Sequence, residues 1–155
     1  MNKQEFTQQV MEAENSLYRV ARTLSANESD CEDAVQQAIL TAYDKLDNLR
    51  NEKFFKTWLT RILINECYKI RRKSGFVISF EDYTADIPSD GKIDNELRDA
   101  VFMLPIKLRS VIVLYYIEGY SVEETAYMLK LPQGTVKSRL HKARKLLKTM
   151  LDDEI

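Results

Sequence analysis

Residues 121–150 read SVEETAYMLKLPQGTVKSRLHKARKLLKTM, and the pattern of this stretch decides the fold class. Ser121 and Glu124 have the spacing of a capping box, in which hydroxyl and carboxylate satisfy free amides at a helix start. Val122, Ala126 and Leu129 follow at helical intervals, so a short helix with one apolar stripe is expected. Pro132 lacks the next backbone donor and is expected to break that helix. Gly134 is expected to permit the sharp turn, with a second helix starting near Thr135.

At about 100° per residue, that second helix has two distinct sides. Val136, Leu140, Ala143, Leu147 and Met150 share one. Lys137, Ser138, His141, Lys142, Lys145 and Lys148 share the other, with Arg139 and Arg144 at the borders. No acid occurs between Thr135 and Met150. A lysine-rich solvated face is the plain alternative. A capped helix, a Pro-Gly turn and a one-sided cationic face in series instead have the shape of a helix-turn-helix that inserts a basic helix into DNA. Duplex phosphates attract such a helix through counterion release, and side chains near its start reach base edges.

The chain has 155 residues, enough for one domain or two small ones. Its 45% hydrophobic content can fill a core, while 30% charged residues argue against a membrane protein. No apolar run approaches the roughly 20 residues that span a bilayer, and MNKQEFTQQ lacks the apolar centre of a secretory signal. A soluble, cytoplasmic protein is expected. Cys31 and Cys67 fit reduced, buried thiols better than a disulfide, and no CxxC spacing occurs. The net charge of −1 hides a gradient, because residues 76–96 hold one base against six acids between parts with local basic faces.

From the start, Phe6 to Leu24 reads as a helix with Phe6, Val10, Leu17, Val20, Ala21 and Leu24 on one face. Ser29 and Glu32 repeat the capping-box spacing and are expected to open a second helix, with Val35, Ala38, Ile39, Ala42, Tyr43 and Leu46 inward. The polar DNLRN segment at 47–51 connects to a third helix carrying Phe55, Trp58, Leu59, Ile62, Leu63 and Ile70. That helix ends in Lys69, Arg71, Arg72 and Lys73, where cations suit the negative end of its dipole. Residues 75–93 have no helical period and read as a linker. Its Phe76, Val77, Ile78 and Phe80 suit a short strand or a docked extended peptide. Asp94 is expected to cap a helix through Met103, and Pro105 to start another, with Leu108, Val111, Ile112 and Tyr115 on one stripe and Gly119 at its end. The expected fold is all-α: two small helical domains, 1–74 and 94–155, joined by a flexible acidic linker over 75–93.

On these residues the chain resembles bacterial RNA polymerase sigma factors of the extracytoplasmic-function group. The resemblance rests on CEDAVQQAILTAYDKL (31–46), FFKTWLTRILINECYKIRRK (54–73) and LPIKLRSVIVLYYIEGYSVEETAYMLKLPQGTVKSRLHKARKLL (104–147). GTVKSRLHKAR alone is shared with several regulators; the two halves in this order make the match specific. The resemblance implies an N-terminal domain, sigma region 2, that grips the clamp helices of core RNA polymerase and melts the −10 element. It implies a C-terminal domain, region 4, that binds the polymerase flap and reads the −35 element. The linker would thread the polymerase channel, and is expected to be mobile in the free protein and ordered there.

By the same resemblance Asp33, Gln36, Gln37 and Leu40 fall on the polymerase-binding helix, where a glutamate is common at the position of Gln37. The 47–53 connection matches a loop that captures a flipped −10 base. Phe55, Trp58, Arg61 and Asn65 match the melting helix, with Lys69, Arg71 and Arg72 beside it to hold phosphates. Phe55 and Trp58 also lie on the apolar stripe, so a core role stays open for both. At the −35 element Ser138, His141 and Lys142 are candidates for base edges. Thr135, Lys137, Arg139, Arg144 and Lys145 are candidates for phosphates. The implied partners are core RNA polymerase, promoter DNA and an inhibitory anti-sigma factor, in many family members a membrane-bound one.

Enzymatic chemistry finds no support in the sequence. The single histidine, His141, sits on the basic face without a carboxylate near it, and no phosphate loop, serine elbow or metal-spaced cluster occurs. No catalytic residue, metal, cofactor or small-molecule substrate is expected. Two other readings remain: a stand-alone helix-turn-helix regulator, which leaves the N-terminal half unexplained, and a sigma-like decoy that binds polymerase without directing transcription.

Overall fold

The computed structural model describes residues 1–74 and 95–152, and these form two compact units, each with its own core. The expectations placed on residues 75–93, and on Asp94 as a cap, lie outside the described residues. All described regular structure is helical.

The first unit holds α1 (Lys3–Leu24), α2 (Glu28–Asp44) and α3 (Phe55–Ser74), each packed on the other two. α1 starts before Phe6 because Asn2 caps it. The Asn2 side chain accepts from the Glu5 amide at 2.8 Å and donates to the Glu5 carboxylate at 2.8 Å. The expected cap of α2 at Ser29 is not the one used. Asn27 accepts from the Asp30 amide at 2.8 Å, and Ser29 lies exposed inside the helix. Asparagine is as good a cap as serine, and Asn27 stands two residues before Ser29.

The core of this unit is built on Phe6, Leu17, Leu24, Phe55, Leu59 and Leu63, all nearly inaccessible. Phe55 meets Phe6 edge-on, with ring centroids 5.7 Å apart, a favoured aromatic geometry. Tyr43, expected inward, is 47% exposed, although its ring lies 5.1 Å from Phe6. Val10, Ile39 and Leu46 are only half-buried, so the inward stripes of α1 and α2 are narrower than their periodicity suggests.

The second unit holds α4 (Asn95–Met103), α5 (Ile106–Ile112), α6 (Val122–Leu129) and α7 (Gln133–Asp152), with α7 packed on the other three. α5 runs directly into a single π turn, Val113–Ile117, closed by the Glu118 amide donating to Val113 C=O at 2.9 Å. Leu108 through Leu114 are all buried, while Lys107 near the start of α5 is exposed and Tyr115 is half-exposed. Gly119 ends this segment as expected, at φ +80°, a backbone conformation that glycine adopts without strain. Pro105 caps α5, its carbonyl accepting from Leu108 and Arg109 at 2.9 Å each. The buried Arg109 guanidinium donates to the carbonyls of Phe102 (2.8 Å) and Leu104 (3.0 Å), satisfying the end of α4.

Candidate nucleic-acid interface

The geometry of the α6–α7 turn orients everything that follows it. Ser121 Oγ accepts from the Glu124 amide at 3.0 Å, and the Glu124 carboxylate accepts from the Ser121 amide at 2.9 Å, so the capping box is complete. The inward face of α6 is Thr125, Ala126 and Met128; the expected Val122 and Leu129 are half-buried. Lys130 makes the turn itself, in the left-handed region at φ 58°, with its amide on Tyr127 C=O at 3.3 Å. Gly134, expected there, lies inside the first turn of α7 with ordinary backbone dihedrals. Pro132 stands at the entry to α7 rather than the end of α6. Its carbonyl accepts from Thr135 (3.1 Å) and Val136 (3.2 Å), so α7 begins two residues earlier than Thr135.

α7 has a dry side and a charged side. Val136, Leu140, Ala143 and Leu147 are buried against the unit. Lys137, Ser138, His141, Lys142, Arg144, Lys145 and Lys148 are exposed, while Thr135 and Arg139 are half-buried at the margins. Arg144 Nη1 donates to the Tyr116 hydroxyl at 2.7 Å. The exposed side is cationic and carries a hydroxyl and an imidazole near its N-terminal half. Such a face attracts phosphate and offers hydrogen-bond donors to base edges.

In the first unit, Asp33, Gln36, Gln37 and Leu40 share the solvent side of α2. Leu40 is 61% exposed, and Gln37 donates to Thr41 Oγ1 at 3.3 Å. The residues expected at the −10 element divide. Phe55 is 1% exposed inside the core, so it is withdrawn from the set that can meet a base. Trp58 and Arg61 are half-exposed, and Asn65 and Arg72 are exposed. Lys69 is exposed and lies 3.6 Å from Glu66. Arg71 is half-buried and donates to Leu24 C=O at 3.4 Å, and its burial lowers its pKa from the usual arginine range. Part of that guanidinium is therefore committed to the join between α3 and the end of α1.

The aromatic that does face solvent here is Phe54, 59% exposed and absent from the expected set. It closes a short 3₁₀ turn, Glu52–Phe54, that Asn51 caps by accepting from the Lys53 amide at 3.0 Å. Only the position of the helix start separates Phe54 from Phe55. A 3₁₀ turn before α3 rotates the first ring out and the second in.

Among the described residues no group of His, Cys, Asp and Glu is placed to hold a metal ion. Burial pushes the Cys67 thiol up to about 12, so it stays neutral at ordinary pH and is no nucleophile. Among the described residues, no helix is long and apolar enough to cross a membrane.

Comparison with known proteins gives these two faces a context. The family model for sigma-70 region 2 matches residues 10–76, and that for sigma-70 region 4 matches residues 94–147. RNA polymerase sigma factor SigV of Bacillus subtilis is 30% identical over 149 residues, which are 94% of this chain and 90% of that protein. The extracytoplasmic-function sigma factor SigM of Mycobacterium tuberculosis is 34% identical over 139 residues, 87% of this chain and 71% of that protein. The chain belongs to the extracytoplasmic-function sigma factors.

This sigma factor is a transcription initiation factor with a helix-turn-helix in its second unit. A solved structure of the sigma factor RpoE bound to the anti-sigma factor NepR, from Bartonella quintana, is similar with a TM-score of 0.82 and 31% identity. The similarity covers 96% of this chain and 97% of that one. The stand-alone regulator explains only half of these matches. The region 2 match falls in the first unit and the region 4 match in the second.

Proposed function

We propose that this sigma factor recognises a bipartite promoter while bound to core RNA polymerase, with each exposed face given one task. The solvent side of α2, through Asp33, Gln36, Gln37 and Leu40, docks on the polymerase clamp. The 47–53 connection, with Trp58, Arg61, Asn65, Lys69, Arg71 and Arg72, engages the opening −10 element. Capturing unstacked bases requires stacking surfaces and phosphate-binding cations rather than catalytic groups. The exposed Phe54 replaces Phe55 as the aromatic available there. On this reading the protein has no enzymatic activity of its own and works in the cytoplasm, where polymerase and promoter are. An anti-sigma factor restrains it, as the NepR complex of the similar RpoE suggests.

The observation that carries the proposal is the division of α7 into a buried apolar side and an exposed cationic one. Ser138, His141 and Lys142 lie toward the helix start and take base edges of the −35 element. Thr135, Lys137, Arg139, Arg144 and Lys145 take phosphates. Lys142→Ala is expected to relax −35 preference and to cost roughly 1–3 kcal/mol on the best site. Lys148→Ala, further along the same side, is expected to weaken all sequences about equally or to leave them unchanged. Holoenzyme binding across a −35 library measures both. Equal, sequence-independent losses would remove base readout from Lys142.

A further inference from the structure

The cations of α7 are not all held alike. Lys137, Lys142, Lys145 and Lys148 are exposed, and among the described residues none of these ammonium groups has a hydrogen-bonded or ionic partner. Arg144 differs, because its Nη1 donates to the Tyr116 hydroxyl at 2.7 Å across 28 residues of sequence. Tyr116 belongs to the π turn Val113–Ile117, outside the helix-turn-helix, and is 52% exposed. Its ring is held edge-on to Tyr115, with centroids 4.9 Å apart and planes at 85°. Single π turns recur at functional positions. Here the turn precedes the bend at Gly119, so Tyr116 reaches α7 from a separate element.

We propose that Tyr116 is a positioning residue for promoter binding, fixing the Arg144 guanidinium at the border of the basic side of α7 for a backbone phosphate of the DNA. This rests on the reading of α7 as the DNA-facing helix. Arg144 follows Lys137 by seven residues and precedes Lys148 by four, so helical geometry sets all three on neighbouring positions of one side. It lies in the second half of α7, past the first turns that reach base edges, which suits the groove wall. One guanidinium N–H is engaged by Tyr116, and the remaining donors stay available to phosphate oxygens. A long, rotamer-rich side chain fixed before binding loses less entropy when it engages DNA.

The test uses the full chain reconstituted with core RNA polymerase, with promoter affinity measured over a series of salt concentrations. Tyr116→Phe is expected to lower affinity about fivefold, the equivalent of one side-chain hydrogen bond, on strong and weak −35 sequences alike. Its thermal midpoint is expected to match the parent protein. Arg144→Ala is expected to weaken binding further and to reduce the salt slope by about one. Arg144→Lys keeps the charge without the planar fork, so it is expected to keep the salt slope while losing affinity as Tyr116→Phe does. The double variant Tyr116→Phe/Arg144→Ala is expected to bind no worse than Arg144→Ala alone.

An undiminished effect of Tyr116→Phe in the Arg144→Ala background overturns the proposal, and so does parental binding by Tyr116→Phe. A binding loss matched by a fall in thermal midpoint also overturns it. Lys137→Ala and Lys145→Ala separate the two levels. If they weaken binding while Tyr116→Phe and Arg144→Ala do not, α7 is on DNA and only the positioning role fails. If none of the four changes binding, the DNA-facing reading of α7 fails as well.

Discussion

Thr125 is wholly buried in α6, and its hydroxyl has no hydrogen-bond partner among the described residues. Leaving a buried hydroxyl unmatched costs about 1–3 kcal/mol, and valine fills nearly the same volume without that cost. Thr125→Val is therefore expected to stabilise the second unit by about 1 kcal/mol in denaturant unfolding. A loss of stability would show that the hydroxyl is satisfied after all. Residue placement was legible where chemistry and periodicity agreed, as for Lys142 on the exposed side of α7 and Leu140 on the buried one. They were not legible where burial depends on a one-residue boundary. Phe54 and Phe55 are the clearest case, since the two differ only in which side of the α3 start they stand on. Arg109 was equally hidden, because a buried arginine that satisfies two carbonyls has no periodic signature.

At the scale of elements, local signals with complete chemistry transferred well. The Ser121–Glu124 capping box forms with both of its hydrogen bonds, and Gly119 ends the α5 segment at positive φ. Signals with a competitor nearby did not: Asn27 displaced Ser29 as the cap of α2, and Lys130, in the left-handed region, makes the turn expected at Gly134. The π turn is also invisible to a fixed angular step, because it changes the angle itself. The turn assignment is open to a direct check. Gly134 has ordinary helical dihedrals, and a Cβ there would meet nothing within 4 Å. Gly134→Ala is expected to stabilise by about 0.4–1 kcal/mol through reduced freedom of the unfolded chain. Lys130→Gly is expected to stabilise by about 1 kcal/mol, since a residue with a Cβ is strained in the left-handed region. Denaturant midpoints measure both, and destabilisation by Gly134→Ala would return the turn to Gly134.

At the scale of the whole molecule, the two-part all-α architecture was legible because each half closes its own apolar stripes. Phe6, Leu17, Phe55 and Leu59 serve one core, and Leu108, Leu114, Met128 and Leu140 serve the other. The overall charge of −1 gave no hint of the cationic side of α7, which only the helical projection separates from the acids elsewhere. The central claim is that α2, the 47–53 connection with α3, and α7 act in one initiation event. The most direct measurement is run-off transcription by core RNA polymerase, with and without this sigma factor, across a library varying the −35 and −10 elements. Strong initiation confined to a subset of promoters, lost when either element is scrambled, is the expected result. Initiation no better with the protein than without it, on every promoter in the library, would contradict the claim.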